Sequence, residues 1–362
     1  MVIAARTSQW ILSSQGSFDK LILEKDVPIP SVGPSEVLVK LYATSFNYRD
    51  IVMVKGSLGL IAKPNLIPLS DGAGVVLDVG PEVKEFRPGD RVITHMIPST
   101  VFSADLASPD DEIVSLSHVQ EGLGQAIDGT LRQYGVFHSS CLVHMPSNID
   151  FSQASTLPCS ALTAWNALFG LRGKSPGPGD WVLIQGSGGV SVAAMQFALA
   201  AGAKVIATSS NPEKAERLRA LGATEVFNYK SDKDWGAKAK KITPAGRGVD
   251  FVLDVGGPPT LAQSLKAVRL GGVIAIAGII AGSETNDVPS IMDCMWNVCT
   301  LRGVVLGTRS QFREMVGFIE GKDIKLAYDE KKFVFEDAKE AFEYVEDQKH
   351  FAKAVVCISG EA

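Results

Sequence analysis

Residues 181–201 read WVLIQGSGGVSVAAMQFALAA, and this stretch decides the fold. Trp181–Gln185 is an apolar run of strand length. Val190, Ala194, Phe197, Ala198 and Ala201 recur at the spacing of a helix. Between them stands Gly186-Ser187-Gly188-Gly189-Val190-Ser191, which has the glycine spacing of a dinucleotide-binding turn. Gly186 permits a sharp bend, Gly188 lets backbone approach a pyrophosphate, and Ser191 is small enough to keep the helix close to the sheet. The helix start also offers the anion N–H groups that have no intrahelical partner. A glycine triplet alone can be a plain turn; between this strand and this helix it predicts a nucleotide site.

Working outward, Lys204–Ser209 reads as the next strand. A helix follows, with Asn211 as its N-cap, Pro212 in its first position and Gly222 just past its end. Glu225–Tyr229, Asp250–Val255, Gly272–Ile279 and Leu301–Leu306 complete six strands, and Gln153–Gly170 reads as a helix ahead of them. Such alternation predicts an α/β domain, a doubly wound parallel sheet over residues 153–306 with helices on both faces. Residues 1–152 differ. Leu21–Leu23, Glu36–Leu41, Gly74–Val79 and Arg91–Thr94 are short strands bounded by turn formers such as Pro30, Pro34, Pro81 and Pro88-Gly89-Asp90. They predict an all-β, barrel-like domain without long helices. Residues 98–130, with the acidic run 108–112, interrupt it as a long loop or lid. Residues 307–362 carry a final strand, Ala354–Ile358, that would return to the first domain.

Composition excludes several classes. Hydrophobic residues make up 46% and charged residues 21% of 362, an ordinary globular balance, and a net charge of −5 with scattered basic residues gives no footprint for nucleic acid. The apolar runs are too short to span a bilayer. The first ten residues, MVIAARTSQW, do not read as a secretion signal. Five cysteines, Cys141, Cys159, Cys294, Cys299 and Cys357, form no CxxC pair, which points to a reducing, cytoplasmic setting.

The second strand ends in Thr208-Ser209-Ser210, where an acid would hold the ribose hydroxyls of NAD. Hydroxyls there remove the repulsion against a 2′-phosphate, and Lys214 one turn later offers positive charge. NADP(H) is therefore the expected cofactor, although Lys214 can equally be a solvated surface lysine.

Over almost its whole length the chain resembles the medium-chain dehydrogenase/reductase superfamily, in its quinone-oxidoreductase-like and zinc-type alcohol dehydrogenase-like branch. The resemblance rests on Asn47-Tyr48-Arg49-Asp50, Ser70-Asp71-Gly72-Ala73-Gly74-Val75-Val76, Arg87-Pro88-Gly89-Asp90-Arg91-Val92, residues 157–165, the Gly186–Ser191 loop and the tail His350–Val356. It implies a Rossmann domain inserted in a GroES-like barrel, a small-molecule substrate, and a homodimer joined through Rossmann edge strands. Metal-dependent members need two cysteines and a His-Glu pair. Here those regions read Ser45-Phe46-Asn47-Tyr48 and Ser70-Asp71, and only Cys159 matches. One soft ligand does not hold zinc, so the expected site has no metal.

Without a Lewis acid, hydrogen-bond donors must carry the oxyanion, which an enone or quinone delocalises better than a simple ketone does. The resemblance makes Tyr48 the candidate proton donor with Asn47 beside it; the plainer alternatives are that Tyr48 packs internally and Asn47 caps a turn. Asp71 is read as orienting Asn47 or Arg49. The resemblance adds Thr163, Gly189, Val190, Tyr229, Gly256, Gly257, Gly278, Ile279, Thr308, Arg309 and Lys353 as cofactor contacts, with surface ion pairs the alternative for Arg309 and Lys353. Trp165 and Phe169, at helical spacing, read as core. Three functions stay open: an NADPH-dependent enone or quinone reductase, a zinc-independent alcohol dehydrogenase or carbonyl reductase, and a nucleotide-binding scaffold, sensor or redox-neutral cyclase.

Overall fold

The computed structural model describes residues 6–102, 108–282 and 289–360 and divides the chain into two units. Met1–Ser160 and Thr308–Ala362 form the first, and Ala161–Gly307 the second. In the first unit β1 (Arg6–Leu12) and β2 (Leu21–Pro28) make an antiparallel pair. Then come β3 (Glu36–Ser45), α1 (Tyr48–Lys55), β4 (Asp71–Val79) and β5 (Arg91–Thr94). They are followed by α2 (Leu116–Gln120), β6 (Tyr134–His138), β7 (Leu142–His144) and α3 (Phe151–Ser155).

Helix α1 has no counterpart in the strand-only reading of this region. Its signals are short-range ones: the Asn47 N–H donates to Asp50 Oδ2 at 2.7 Å at the N-terminus, and Gly56 closes the C-terminus at φ 67°. The β-branched Ile51, Val52 and Val54 hid it, because their burial rather than their propensity keeps them helical. The helix expected over Gln153–Gly170 is also interrupted. A π-helical segment, Leu157–Ala161, separates α3 from α4 (Leu162–Phe169), since Pro158 has no N–H to give to an α-helical bond.

In the second unit β8 (Trp181–Gln185), α5 (Gly189–Ala200), β9 (Lys204–Thr208), α6 (Pro212–Ala220) and β10 (Glu225–Phe227) alternate as expected. They continue through α7 (Trp235–Ile242), β11 (Val249–Asp254), α8 (Pro258–Ala267), β12 (Val268–Ile276), α9 (Ile291–Trp296) and β13 (Thr300–Gly303). The sheet is wholly parallel in the order β10-β9-β8-β11-β12-β13, a doubly wound order that reverses direction beside β8. Trp181, Leu183, Ile206, Val252 and Ile274 lie in its core. Trp165 is core as read: it stacks on Phe169 with ring centroids 4.2 Å apart and meets Phe197 edge-on.

The chain then returns to the first unit as α10 (Arg309–Gly321), β14 (Lys332–Val334), α11 (Ala338–Glu346) and β15 (Val355–Cys357). The resulting sheet runs β14-β15-β3-β4-β5-β7, with β6 also on β3, so the tail strand does rejoin the N-terminal strands. Residues 98–130 hold two short 3-10 turns and α2; the lid reading falls partly on 103–107, outside the described residues. Asp110 in this stretch is clamped by Arg309 and Arg313 of α10.

Candidate active site

Strand register assembles the polar centre of the first unit. Ser45 on β3 is paired with Asp71 of β4 on one side and with Val355 of β15 on the other. Asn47, Asp71 and Lys353 therefore come to the same end of three adjacent strands, and the Phe46 N–H extends the ladder to Ala354 O at 3.1 Å. Lys353 Nζ donates to Asp71 Oδ2 at 3.0 Å and to Asn47 Oδ1. Both charged side chains are shut from water, at 4% and 0% exposure. Asp71 also accepts from Ser70 Oγ at 2.8 Å and from the Cys159 N–H at 3.3 Å. Breaking such a buried pair by removing one partner costs about 3–5 kcal/mol, because the other charge stays stranded.

Asn47 is the hinge of this cluster. Its Oδ1 also accepts from Ser160 Oγ at 3.2 Å. An ammonium has no acceptor to offer, so the amide is fixed with oxygen towards Lys353 and nitrogen away. That nitrogen, on a side chain only 8% exposed, has no partner among the described residues. An orphaned buried donor costs about 1–3 kcal/mol, which makes Nδ2 a place for a ligand oxygen. Tyr48, the first residue of α1, is 51% exposed. Burial pushes the neighbouring Asp50 carboxyl up to about 6, against the pull of Arg49 3.8 Å away. Arg49 spends its other donors on Leu123 O and Gln125 Oε1. Asp71 thus acts on Asn47 only through Lys353, and not on Arg49.

The second unit carries the nucleotide residues. Gly186 sits at φ 78°, its N–H bonded to Thr208 O at 2.9 Å, and both Gly186 and Gly188 leave empty the space a Cβ would fill. Ser191 donates to Gln185 O at 2.6 Å and so ties α5 to the end of β8. Gly189 and Val190 open α5. At the end of β9 stand Thr208, Ser209 and Ser210; Ser209 Oγ donates to Asn211 O, and Lys214 lies in the first turn of α6, capped by Asn211. Tyr229 follows β10, and Gly278 and Ile279 follow β12. Gly256 is glycine for an internal reason, because a Cβ there would meet Thr260 at 2.5 Å. Gly257 is the N-cap of α8, and Thr163 is buried in α4. The open glycine turn and free helix start fit a dinucleotide.

Three expected cofactor contacts lie in the first unit with their polar atoms engaged there. Thr308 caps α10 by accepting from the Gln311 N–H. Arg309 is buried and gives its donors to Leu142 O, Glu85 and Asp110. Lys353, read as closing over a cofactor, has its ammonium on Asp71 and Asn47. Sequence reasoning missed this role. The available signal was a lone lysine amid Phe351, Ala352, Ala354, Val355 and Val356, which burial forces to find an acidic partner.

Known proteins share the sequence and the fold of this chain. Residues 33–147 match the family model for the alcohol dehydrogenase GroES-like domain, and residues 189–321 that for zinc-binding dehydrogenase. A zinc-type alcohol dehydrogenase-like protein of Schizosaccharomyces pombe is 41% identical over 343 residues, covering 94% of this chain and 96% of the relative. Among solved structures, a candidate alcohol dehydrogenase of Sinorhizobium meliloti superposes with a TM-score of 0.87 at 33% identity, covering 99% of this chain and 100% of the other. An NAD-dependent alcohol dehydrogenase does so with 0.82 at 30%, covering 97% and 100%.

The zinc named in the family's description does not suit the residues present. No group of three or more His, Cys, Asp or Glu among the described residues is placed to hold a metal. Asp71 is engaged by an ammonium. Cys159 is then the one soft ligand left, and one such ligand does not hold zinc, which needs three protein ligands.

Proposed function

This chain is an oxidoreductase of the medium-chain dehydrogenase/reductase family, and we propose that it uses NADP(H), without a metal, to reduce an enone, quinone or related carbonyl compound. The observation that carries the reading is the buried Lys353–Asp71–Asn47 group, whose one unpartnered polar atom is an amide donor.

When bound, the reduced nicotinamide supplies hydride to the electrophilic carbon. Asn47 Nδ2 donates to the substrate oxygen as charge develops there, the part that oxyanion donors play in acyl transfer. The Tyr48 hydroxyl delivers the proton. Neutral donors stabilise a delocalised enolate or phenolate more easily than a localised alkoxide, which favours conjugated acceptors. Gly186, Gly188, Gly189 and Val190 hold the pyrophosphate; Ser209, Ser210 and Lys214 take the 2′-phosphate, in contrast to the NAD-dependent alcohol dehydrogenase above. Five cysteines without a disulfide among them fit a reducing, cytoplasmic setting. Edge strand β13, beside α9 with its exposed Ile291, Met295 and Trp296, pairs with a second copy to give a homodimer.

An acceptor screen following NADPH absorbance tests the reading, with matched enones and saturated ketones, with and without chelator. Enone reduction faster with NADPH than with NADH and indifferent to chelator is expected. Activity that falls with chelator, or that favours saturated alcohols with NAD, overturns it.

A further inference from the structure

We propose that the Lys353 ammonium is the resident cation of this site: it stands in place of a metal and positions the Asn47 amide as an oxyanion donor. The inference rests on the metal-free reading above and goes further, because it assigns the missing positive charge to one atom. Lys353 Nζ lies 3.0 Å from Asp71 Oδ2 and bonds Asn47 Oδ1. The Cys159 backbone and the Ser160 hydroxyl reach the same two side chains. The two positions that diverge from a zinc-ligand set, Asn47 and Asp71, thus hold an ammonium instead, and Cys159, which matches one, reaches Asp71 through its backbone N–H.

Two consequences follow from charge alone. A divalent cation would have to take Asp71 from Lys353 while standing against a buried positive charge, so the ammonium excludes the metal. An ammonium and a hydroxyl on Oδ1 also draw electron density towards the amide oxygen, which leaves the Nδ2 hydrogens more positive and stronger as donors. Lys353 never needs to touch substrate. It is a positioning residue, acting through Asn47, and it is covalently part of the chain, beyond the reach of a chelator.

The test uses the full chain. Lys353→Met removes the charge, Lys353→Arg keeps it, and Lys353→Met with Asp71→Asn removes both charges so that no carboxylate is stranded if the single variant fails to fold. With whichever acceptor the screen identifies, the Met variants are expected to lose about 100-fold in kcat, the scale of losing one oxyanion donor. NADPH affinity, read from nucleotide fluorescence, should stay within about twofold, which is beneath the roughly 1.4 kcal/mol of a tenfold change. Arginine should restore part of the rate. Separately, Lys353→Ala with Asn47→Cys should take up about one zinc per chain, while the unaltered protein equilibrated with zinc and desalted holds none.

Loss of NADPH affinity with kcat kept would make Lys353 a cofactor ligand and overturn the proposal. Wild-type kcat in a folded double variant would make the pair purely structural, and one zinc in the unaltered protein would refute it outright. Zinc uptake and nucleotide affinity need no substrate, so a wrong acceptor class does not confound them.

Discussion

The Ser210 hydroxyl donates to the phenolic oxygen of Tyr229 at 3.1 Å, where the parallel strands β9 and β10 end with Thr208 level with Phe227. Hydroxyls alone, from Thr208 to Ser210, occupy the place where a carboxylate would select NAD. Ser209→Asp is therefore expected to move the kcat/KM ratio of NADPH to NADH at least about tenfold towards NADH, a change of about 1.4 kcal/mol. An unchanged ratio would remove these hydroxyls from cofactor choice.

Asp50 makes stability depend on pH. Its folded carboxyl is raised from 3.8 to about 6. Below pH 4 the acid is protonated whether the chain is folded or not. Between about 4 and 6 only the unfolded chain ionises, so folding stability falls as pH rises, and above 6 the loss is complete, at most about 3 kcal/mol. Asp50→Asn retains an acceptor for the Asn47 N–H and removes the charge. Urea unfolding should show its advantage over the unaltered protein near zero at pH 4 and growing to pH 7. A difference independent of pH would mean that Asp50 is ionised in the native state below 4.

Cys141 and Cys159 are both pushed up to about 12 by burial. At pH 8 the native protein should leave both unalkylated by iodoacetamide, with labelling only in urea, as read by peptide mass spectrometry. Rapid labelling of Cys159 in the native protein would show an accessible thiolate and overturn this reading of its burial.

Trp296 is 70% exposed on α9, next to the edge strand β13. Trp296→Glu should convert a dimer to a monomer in light scattering, with circular dichroism unchanged. A wild-type monomer at micromolar concentration would end the dimer reading.

What the sequence disclosed depended on how far apart the cooperating residues lie. The nucleotide turn was legible because strand, glycines and helix are contiguous, and Asn211, Pro212 and Gly222 bracketed α6 for the same reason. Helix α1 and the π segment were not, since buried β-branched residues imitate a strand and one proline disturbs a helix without ending it. The polar centre was the least legible. Lys353 meets Asp71 and Asn47 across 282 and 306 residues, and only the register of β3 with its two neighbours makes them adjacent. A resemblance supplied candidate positions there, but not which side chain would bond which.

The pairing of β15 with β3 also fixes an order of events during synthesis. All six strands of the parallel sheet fall within residues 161–307 and can assemble once that span has left the ribosome. Strand β3 is made far earlier, yet its edge waits for Val355–Cys357. A released chain that ended near residue 330 would already own its nucleotide fold while its barrel stood open and its buried acid at position 71 lacked a counter-ion. Premature termination in the final thirty or so residues should thus yield a species that binds nucleotide, cannot catalyse, and exposes a sticky strand to quality control.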